Sequence, residues 1–179
     1  MKPKVLIFAR SFLLKFASEI NSDVFDKLLV VLTKEEKKYL LSKNIKVYGC
    51  FEEEYNELEV TLFEGNYLKT SLYSDRFLNR FNLAKRHEIL GKEITFWRNI
   101  LTVNKPDLIV NETVSIEISE VMAIEAENKK IPFISDLQGF LPYSFYWKPN
   151  PFHGRLNDLS CIEPGDDNIL KAKEYYIKS

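Results

Sequence analysis

Five short apolar runs alternate with longer amphipathic segments along this chain, and few folds are compatible with that alternation. The runs cover residues 4–9, 27–33, 45–50, 107–111 and 131–135. The segments with helical character cover residues 11–21, 34–43, 75–103 and 114–129. Nearly continuous apolar runs are typical of strands covered on both faces. Because crossovers between parallel strands are right-handed, we predict an α/β fold with about five parallel strands in the order 3-2-1-4-5 and helices on both faces.

The remaining segments lack a clear period. Residues 52–74 are acidic and then aromatic, and we expect an irregular excursion or a short extra helix. From Asp136 onward the chain contains four of its seven prolines and three of its six glycines, which indicates an ordered loop followed by a final helix at about 166–177. We therefore predict one domain over residues 1–160 and a C-terminal helix over 161–179 that could begin an interdomain linker.

Composition excludes several classes of protein. Lys plus Arg is 25 and Asp plus Glu is 26, so bulk charge gives no reason to expect a nucleic-acid partner. No apolar run approaches the roughly 20 residues of a transmembrane helix, and no signal peptide is evident. The expected location is cytoplasmic, with a peripheral position at the inner face of the membrane as the alternative. Cys50 and Cys161 have no partners at ligand spacing, so neither a disulfide nor a zinc site is expected.

The predicted sheet order places a ligand crevice between the first and fourth strands, where the order reverses. Arg10 and Ser11 follow the first strand, and Asn111 and Glu112 follow the fourth, so we expect Glu112 opposite Arg10. Thr113 is the expected N-cap of the next helix. Because neither GxGxxG nor GxxxxGK[ST] occurs in the sequence, we expect no dinucleotide or ATP site of the usual kind.

The predicted long helix over 75–103 has a stripe that is basic at its start and apolar at its end. Arg76, Arg80 and His87 occupy the first half of this stripe, so they are expected at the rim of the same crevice. Arginine can clamp a carboxylate or phosphate, and histidine can act as an acid or base near neutral pH. Alternatively, both arginines pair with the acids at 52–54, and His87 is a hydrogen-bonded, half-buried ring.

In the helix predicted after Asn111, most of the glutamates should lie outside the apolar face. Glu117, Glu120 and Glu127 are expected to be solvated. Glu125 falls within the apolar face, and a structural ion pair or a snorkelling edge position is favoured over a catalytic role.

The segment 135–156 combines aromatic rings with polar side chains. Its candidate binding residues are Gln138, Tyr146, Trp147, His153 and Arg155. Such a mixture suits a sugar or other planar ligand. It equally suits a domain interface, where Trp, Tyr and Arg are enriched.

The order of elements, the segments NRFNLAKRHEILGKEITFWRNIL and NKPDLIVNETVSIEISEVMAIEAENKKIPFI, and the closing DDNILKAKEYYIKS together resemble a known family. They are similar to the N-terminal half of GT-B type glycosyltransferases of the capsule and surface-polysaccharide biosynthesis group. The resemblance implies a Rossmann-like domain that binds a saccharide acceptor. It also implies that a second Rossmann-like domain or subunit holds most of a nucleotide-sugar donor, so this chain itself would carry no cofactor and would be inactive alone.

Two functions therefore stay open from the sequence. In the first, Glu112 or His87 is the catalytic base, and Arg10, Arg76 and Arg80 hold an acidic or phosphorylated acceptor. In the second, the chain is a non-catalytic, flavodoxin-like binding or interaction module whose segment 140–156 docks a partner, and it could form a homodimer. A metal site is not expected in either case.

Overall fold

A computed structural model describes residues 2–64, 67–112, 114, 116–138 and 145–148 of the 179-residue chain; for residue 12 and residues 137, 138 and 145–148 it describes the backbone alone. The predicted helix 166–177 and the predicted boundary at residue 160 lie outside this range. The described strands are β1 (Lys4–Phe8), β2 (Asp26–Val31), β3 (Val47–Cys50), β4 (Leu108–Asn111), β5 (Phe133–Gln138) and β6 (Phe145–Lys148).

These strands form one sheet in the order β3-β2-β1-β4-β5-β6. The first five are parallel, which confirms the predicted order 3-2-1-4-5 and makes the domain a Rossmann-like α/β fold. The loop predicted from Asp136 onward is wrong in part, because β5 continues to Gln138 and β6 returns antiparallel beside it. The run FYWK pairs there because aromatic side chains favour an extended backbone once an open strand edge is available.

The described helices are α1 (Ser11–Glu19), α2 (Lys34–Ser42), α3 (Phe51–Glu54), α4 (Lys69–Ser74), α5 (Leu83–Asn104) and α6 (Glu117–Asn128), with a 3-10 turn at Leu78–Arg80. They cover both faces of the sheet. Val5 and Ile7 of β1 pack with Ala17 of α1 and Leu40 of α2 on one face. Leu6 and Phe8 face the other way and pack with residues of α4, α5 and α6. Because successive side chains of a strand point to opposite faces, a strand that is covered by helices on both faces needs apolar residues at every position.

The excursion between β3 and α5 contains two short helices, α3 and α4, rather than one. Its middle part crosses α5 closely, since the Thr61 amide donates to the Gly91 carbonyl at 3.2 Å. A Cβ on Gly91 would lie 2.6 Å from the Thr61 carbonyl oxygen. Glycine at this position therefore allows the excursion to pack on the helix.

Helix α5 begins at Leu83, so the prediction of one helix from residue 75 is wrong. The Asn82 side chain accepts a hydrogen bond from the Lys85 amide at 2.9 Å and caps the helix. Upstream, the Asp75 carboxylate accepts from the amides of Phe77 and Leu78, which favours a separate turn. The apolar second half of the predicted stripe lies in the core, as expected, since Leu90, Ile94, Trp97 and Leu101 are buried.

Helix α6 begins at Glu117 with Ile116 at the N-cap position, so the expectation of an N-cap at Thr113 is wrong. No helix of the described part of the chain is long and apolar enough to cross a membrane.

Candidate functional site

Arg10 and Glu112 meet at the carboxyl ends of β1 and β4. The Arg10 Nε atom lies 3.2 Å from Glu112 Oε1, and the two side chains are 14% and 15% exposed. Among the described residues, Arg10 Nη1 and Glu112 Oε1 are buried without a hydrogen-bond partner. The structure therefore brings together the two charges that the sheet order placed opposite each other, and it leaves each with hydrogen-bonding capacity.

Asn111 is the last residue of β4 and is completely buried. Neither its Oδ1 nor its Nδ2 atom has a hydrogen-bond partner among the described residues. A buried amide without partners costs about 1–3 kcal/mol, and such groups in folded proteins usually call for an explanation. A polar ligand group in the crevice would supply the missing partner.

Ser11 begins α1 with a φ of 49°, in the left-handed region that residues with a side chain seldom adopt. The preceding residue, Arg10, is the N-cap and makes no side-chain capping hydrogen bond. Its guanidinium is directed instead to Glu112. The strained turn thus presents Arg10 to the crevice, and an outlier of this kind is compatible with a functional site.

The pKa of Glu112 is raised, chiefly because burial disfavours the charged carboxylate. The positive charge of Arg10 opposes this, while the negative charges of Asp136 and Glu36 add to it. A carboxylate with a raised pKa is a stronger proton acceptor, so the environment suits Glu112 for the predicted role of a base.

A group of three carboxyl side chains adjoins this crevice and was not predicted. It comprises Asp75, before the 3-10 turn, Glu93 of α5 and Glu117 of α6; Glu93 and Asp75 are 1% and 8% exposed. Burial and the nearby Asp75 raise the pKa of Glu117 to about 7, and the charge of Arg10 lowers it. Burial, with the charges of Glu117 and Asp75, raises the pKa of Glu93 strongly.

Glu117 and Glu120 are therefore not the solvated residues that helix periodicity predicted. Asp75 lies close enough to Glu117 to raise its pKa, and Glu120 accepts from the Ser71 amide at 2.9 Å and from the Ser71 hydroxyl. The excursion covers this side of α6, which the sequence could not reveal. Glu127 is exposed as predicted.

Glu125 forms a structural ion pair, which is one of the two arrangements that its position favoured. Its carboxylate lies 2.9 and 3.1 Å from two nitrogen atoms of Arg98. The Tyr67 hydroxyl donates to the same carboxylate at 2.7 Å, and Glu125 is 2% exposed.

Arg76, Arg80 and His87 do not share one helical stripe, because α5 begins after both arginines. Their guanidinium groups lie over neighbouring rings, Arg76 over Phe77 at 4.8 Å and Arg80 over Phe81 at 4.9 Å. The His87 ring is half-buried and lies 4.9 Å from the ring of Phe63.

The alternative pairing of the two arginines with residues 52–54 does not match the contacts of those acids either. Glu52 accepts from the Lys34 amide, Glu53 pairs with Lys37, and Glu54 accepts from the Cys50 amide.

Of the candidate binding residues in segment 135–156, the structure describes Gln138, Tyr146 and Trp147, and only their backbone. Trp147 pairs with Asp136, Tyr146 with Leu137, and Gln138 with Phe145 across the β5–β6 ladder. His153 and Arg155 lie outside the described residues. The roles predicted for these side chains stay predictions.

The sequence carried one signal for the missed carboxyl group. Glu93 is three residues after Leu90 and four before Trp97, so it falls on the buried face of α5. A carboxylate at such a position is a candidate for a perturbed pKa. Asp75 and Glu117 gave no comparable signal, because they come near Glu93 through tertiary packing.

Comparisons with known proteins add a likeness of fold. No protein-family model matches the sequence, and no curated protein matches it significantly. Similar solved structures include the UDP-GlcNAc 2-epimerase from Neisseria meningitidis bound to UDP-GlcNAc, with 15% identity over 80% of this chain and 34% of that chain and a TM-score of 0.46. Others are a UDP-N-acetylglucosamine 2-epimerase (15% identity, 80% and 35% covered, TM-score 0.48) and S. aureus MnaA with UDP (16%, 74% and 28%, TM-score 0.43). This chain spans about a third of the length of these structures.

Proposed function

We propose that this chain is the acceptor-binding domain of a GT-B type glycosyltransferase that builds surface polysaccharide. The observation that carries the proposal is the Arg10–Glu112 pair, 3.2 Å apart at the reversal point of the sheet, beside the buried and unpartnered amide of Asn111. A parallel sheet of this order binds ligands at that point. The resemblance of the sequence to such enzymes supplies the substrate class.

In this proposal each of the three side chains has one task. Glu112 accepts the proton of an acceptor hydroxyl as the hydroxyl oxygen attacks the anomeric carbon of the donor sugar and the bond from that carbon to the nucleotide breaks. Arg10 binds an acidic or phosphorylated group of the acceptor in place of its contact with Glu112. Asn111 donates to and accepts from the sugar hydroxyls, which relieves the cost of its buried amide.

The donor would be held by a second Rossmann-like domain or subunit facing this edge of the sheet. A carboxylate and a guanidinium at one edge bind an acceptor but provide no glycine-rich turn for a pyrophosphate. The full reaction is therefore expected from this chain together with its partner and not from this chain by itself. The location would be the cytoplasmic side of the membrane, where nucleotide sugars are available.

The test is a titration of the full 179-residue chain with an acidic saccharide, followed by amide chemical shifts in NMR. D-glucuronate and a hyaluronan tetrasaccharide are the probes. We expect shifts at Arg10, Ser11, Asn111 and Glu112. Shifts confined to another surface, with none at these four residues, would overturn the proposal.

Two variants and a matched control refine this test. Arg10→Gln removes the charge that would hold the acidic group, and we expect about a tenfold loss of affinity for glucuronate. Glu112→Gln keeps the shape but removes the base, so binding should persist while transfer activity with the partner domain is lost. Lys38→Gln changes an exposed lysine on α2 and should alter neither property. Equal losses in the control and in Arg10→Gln would contradict the assignment.

A further inference from the structure

Glu117 lies where the chain returns to the sheet beside the crevice. It is the first residue of α6, and residues 112–116 connect it to the end of β4. The positive charge of Arg10 lowers the pKa of Glu117, so the guanidinium and this carboxyl are near each other. Glu117 therefore belongs to the surroundings of the Arg10–Glu112 pair, although neither residue forms an ion pair with it.

Asn111 is directed to the side of the sheet that α6 covers. Ile109 of β4 packs with Ile118 of α6 in one cluster, and Val110 belongs to the cluster on the other face. Because side chains alternate along a strand, Asn111 faces the same way as Ile109. Both polar atoms of its completely buried amide lack a partner among the described residues, and so does the buried Oε2 atom of Glu117. Two polar groups that lack partners thus lie on one face of the sheet, at the edge that forms the crevice.

The surroundings of Glu117 favour a neutral carboxyl. Glu117 forms no ion pair among the described residues, and the nearby Arg10 is paired with Glu112 at 3.2 Å. Asp75 and Glu93, which are 8% and 1% exposed, add negative charge instead. Burial, followed by the charge of Asp75, raises the pKa of Glu117 to about 7. Below that pH the carboxyl of Glu117 holds a proton.

A protonated carboxyl changes what the crevice can bind. Its O–H group is a hydrogen-bond donor, whereas an ionised carboxylate only accepts. The Nη1 atom of Arg10 is a second donor that is buried without a partner among the described residues. An anionic oxygen can accept from both groups, and hydrogen bonds to a charged group are the stronger kind. A neutral hydroxyl would gain less from the same two donors.

We propose that Glu117 is a ligand-contacting residue of the crevice, which in its protonated form donates a hydrogen bond to the anionic group that Arg10 holds. The proposal rests on the proposed function in taking the crevice as the place of the ligand, and it adds the residue that makes binding selective for an acid. Asn111 supplies its amide to the same ligand. No covalent bond changes in this step, and the proton stays on the Glu117 carboxyl.

Binding should therefore be linked to one proton. An anion beside Glu117 favours the protonated carboxyl and raises its pKa above the value of about 7 in the free protein. Above that pH the protein must take up a proton from solvent to bind, so the affinity falls as the pH rises. With a pKa of about 7 we expect binding about tenfold weaker at pH 8 than at pH 6.

The experiment is an NMR titration of the full chain at pH 6 and pH 8, with D-glucuronate and with glycolate. Both ligands are carboxylates that stay ionised over this range, so the ligand does not titrate. We expect the tenfold difference in dissociation constant and a titration midpoint of the Glu117 carboxyl carbon that moves upwards when ligand is bound. An affinity that is equal at the two pH values, or a midpoint that ligand does not move, would overturn the proposal.

Two variants of Glu117 separate its proton from its place in the fold. Glu117→Gln keeps an N–H donor that does not titrate, so binding at pH 8 should be as tight as in the unmodified protein at pH 6. Glu117→Ala removes the donor and should weaken binding at pH 6 about tenfold. Glu127→Gln, at an exposed position of the same helix, should keep the original pH dependence. An unchanged pH dependence in Glu117→Gln, or full affinity in Glu117→Ala, would contradict the proposal.

The other carboxyl groups of this region need their own test. Glu93 on α5 and Asp75 before the 3-10 turn face Glu117, and Glu112 loses its contact with Arg10 when the ligand binds. We expect Glu93→Gln and Glu112→Gln to keep the fall in affinity between pH 6 and pH 8. If either variant removes it while Glu117→Gln does not, the proton belongs to another group and the proposal is wrong.

The outcomes for the two proposals differ. If glucuronate shifts Arg10 and Glu112 with the same affinity at both pH values, the role of Glu117 is wrong and the proposed function stands. If glycolate binds the crevice with a pH dependence that Glu117→Gln removes, while glucuronate and the tetrasaccharide do not bind, the proposed function fails and the anion site remains. If none of the three ligands shifts the crevice residues, both proposals are wrong.

Discussion

At the scale of single residues, Asn111 has an environment that stability alone does not explain. Its side chain is fully buried at the end of a strand, yet neither polar atom has a described partner. Folding therefore removes the amide from water without replacing its hydrogen bonds. A residue of this kind is expected where binding a ligand matters more than the stability of the empty protein.

We predict that Asn111→Leu increases the free energy of unfolding by about 1–2 kcal/mol, because it removes the unpaired amide and keeps a similar shape. Urea denaturation followed by circular dichroism measures this. Asn104→Leu is the matched control, since the Asn104 amide donates to the Ile100 carbonyl at 2.9 Å and its loss should not stabilise the protein. A clear loss of stability in Asn111→Leu would mean that its amide is already satisfied in the folded protein.

At the scale of elements, α5 and α6 are joined by both apolar and charged contacts. The Trp97 indole donates to the Ile118 carbonyl at 2.9 Å and its ring meets Phe8 edge-on, with centroids 5.1 Å apart. The next residue of α5, Arg98, holds the buried carboxylate of Glu125. The Glu125 side chain is 3% exposed and that of Arg98 is 46%, so the glutamate depends on the pair more than the arginine does.

We predict that Arg98→Ala lowers the free energy of unfolding by about 1–3 kcal/mol, since it leaves the Glu125 carboxylate buried with the Tyr67 hydroxyl and without its cation. Lys85→Ala is the control, because the side chains of Lys85 and Glu88 are 41% and 38% exposed and such a pair contributes little. Thermal and urea unfolding of both variants provide the comparison. Equal losses would show that the Arg98 pair contributes no more than a surface contact.

At the scale of the whole molecule, the sheet places two kinds of charge next to each other. The crevice contains a paired arginine and glutamate, and the neighbouring α4–α6 side contains carboxyl groups without ion pairs among the described residues. Carboxyl groups with a raised pKa in the folded state take up protons on folding. They stabilise the folded protein below their unfolded pKa, and this stabilisation is lost as the pH rises through the folded pKa.

We therefore predict that the free energy of unfolding falls by about 1–2 kcal/mol between pH 5 and pH 8, most steeply below the Glu117 pKa of about 7 and levelling off above it. Urea denaturation at several pH values measures the profile. Glu117→Gln and Glu93→Gln should each flatten it, because an uncharged amide replaces the titrating group. Glu127→Gln, at an exposed position of α6, should leave it unchanged. A stability that rises with pH over this range would be inconsistent with the raised pKa values.

Local patterns in the sequence were sufficient for the five parallel strands and their order. The apolar runs contribute to hydrophobic clusters on both faces of the sheet, and right-handed crossovers leave few ways to connect such strands. The same rules placed Arg10 opposite Glu112. The position of Glu125 on an apolar helix face favoured an ion pair or a snorkelling edge position, and the structure shows the ion pair. They failed at β6 and at the start of α5, where pairing with an existing strand edge and the capping residues Asp75 and Asn82 decided the structure.

Tertiary packing alone decided that Asp75, Glu117 and Glu120 are shielded from water. Helical periodicity predicted that Glu117 and Glu120 are exposed to solvent, because it identifies only the helix face that packs on the sheet. It cannot show that a segment distant in the sequence covers another face of α6. Residues 67–82 provide that cover and bring Asp75 and Ser71 onto this helix. The fold thus follows from the local distribution of apolar residues, whereas the raised pKa values of Glu93 and Glu117 depend on contacts between residues far apart in the chain.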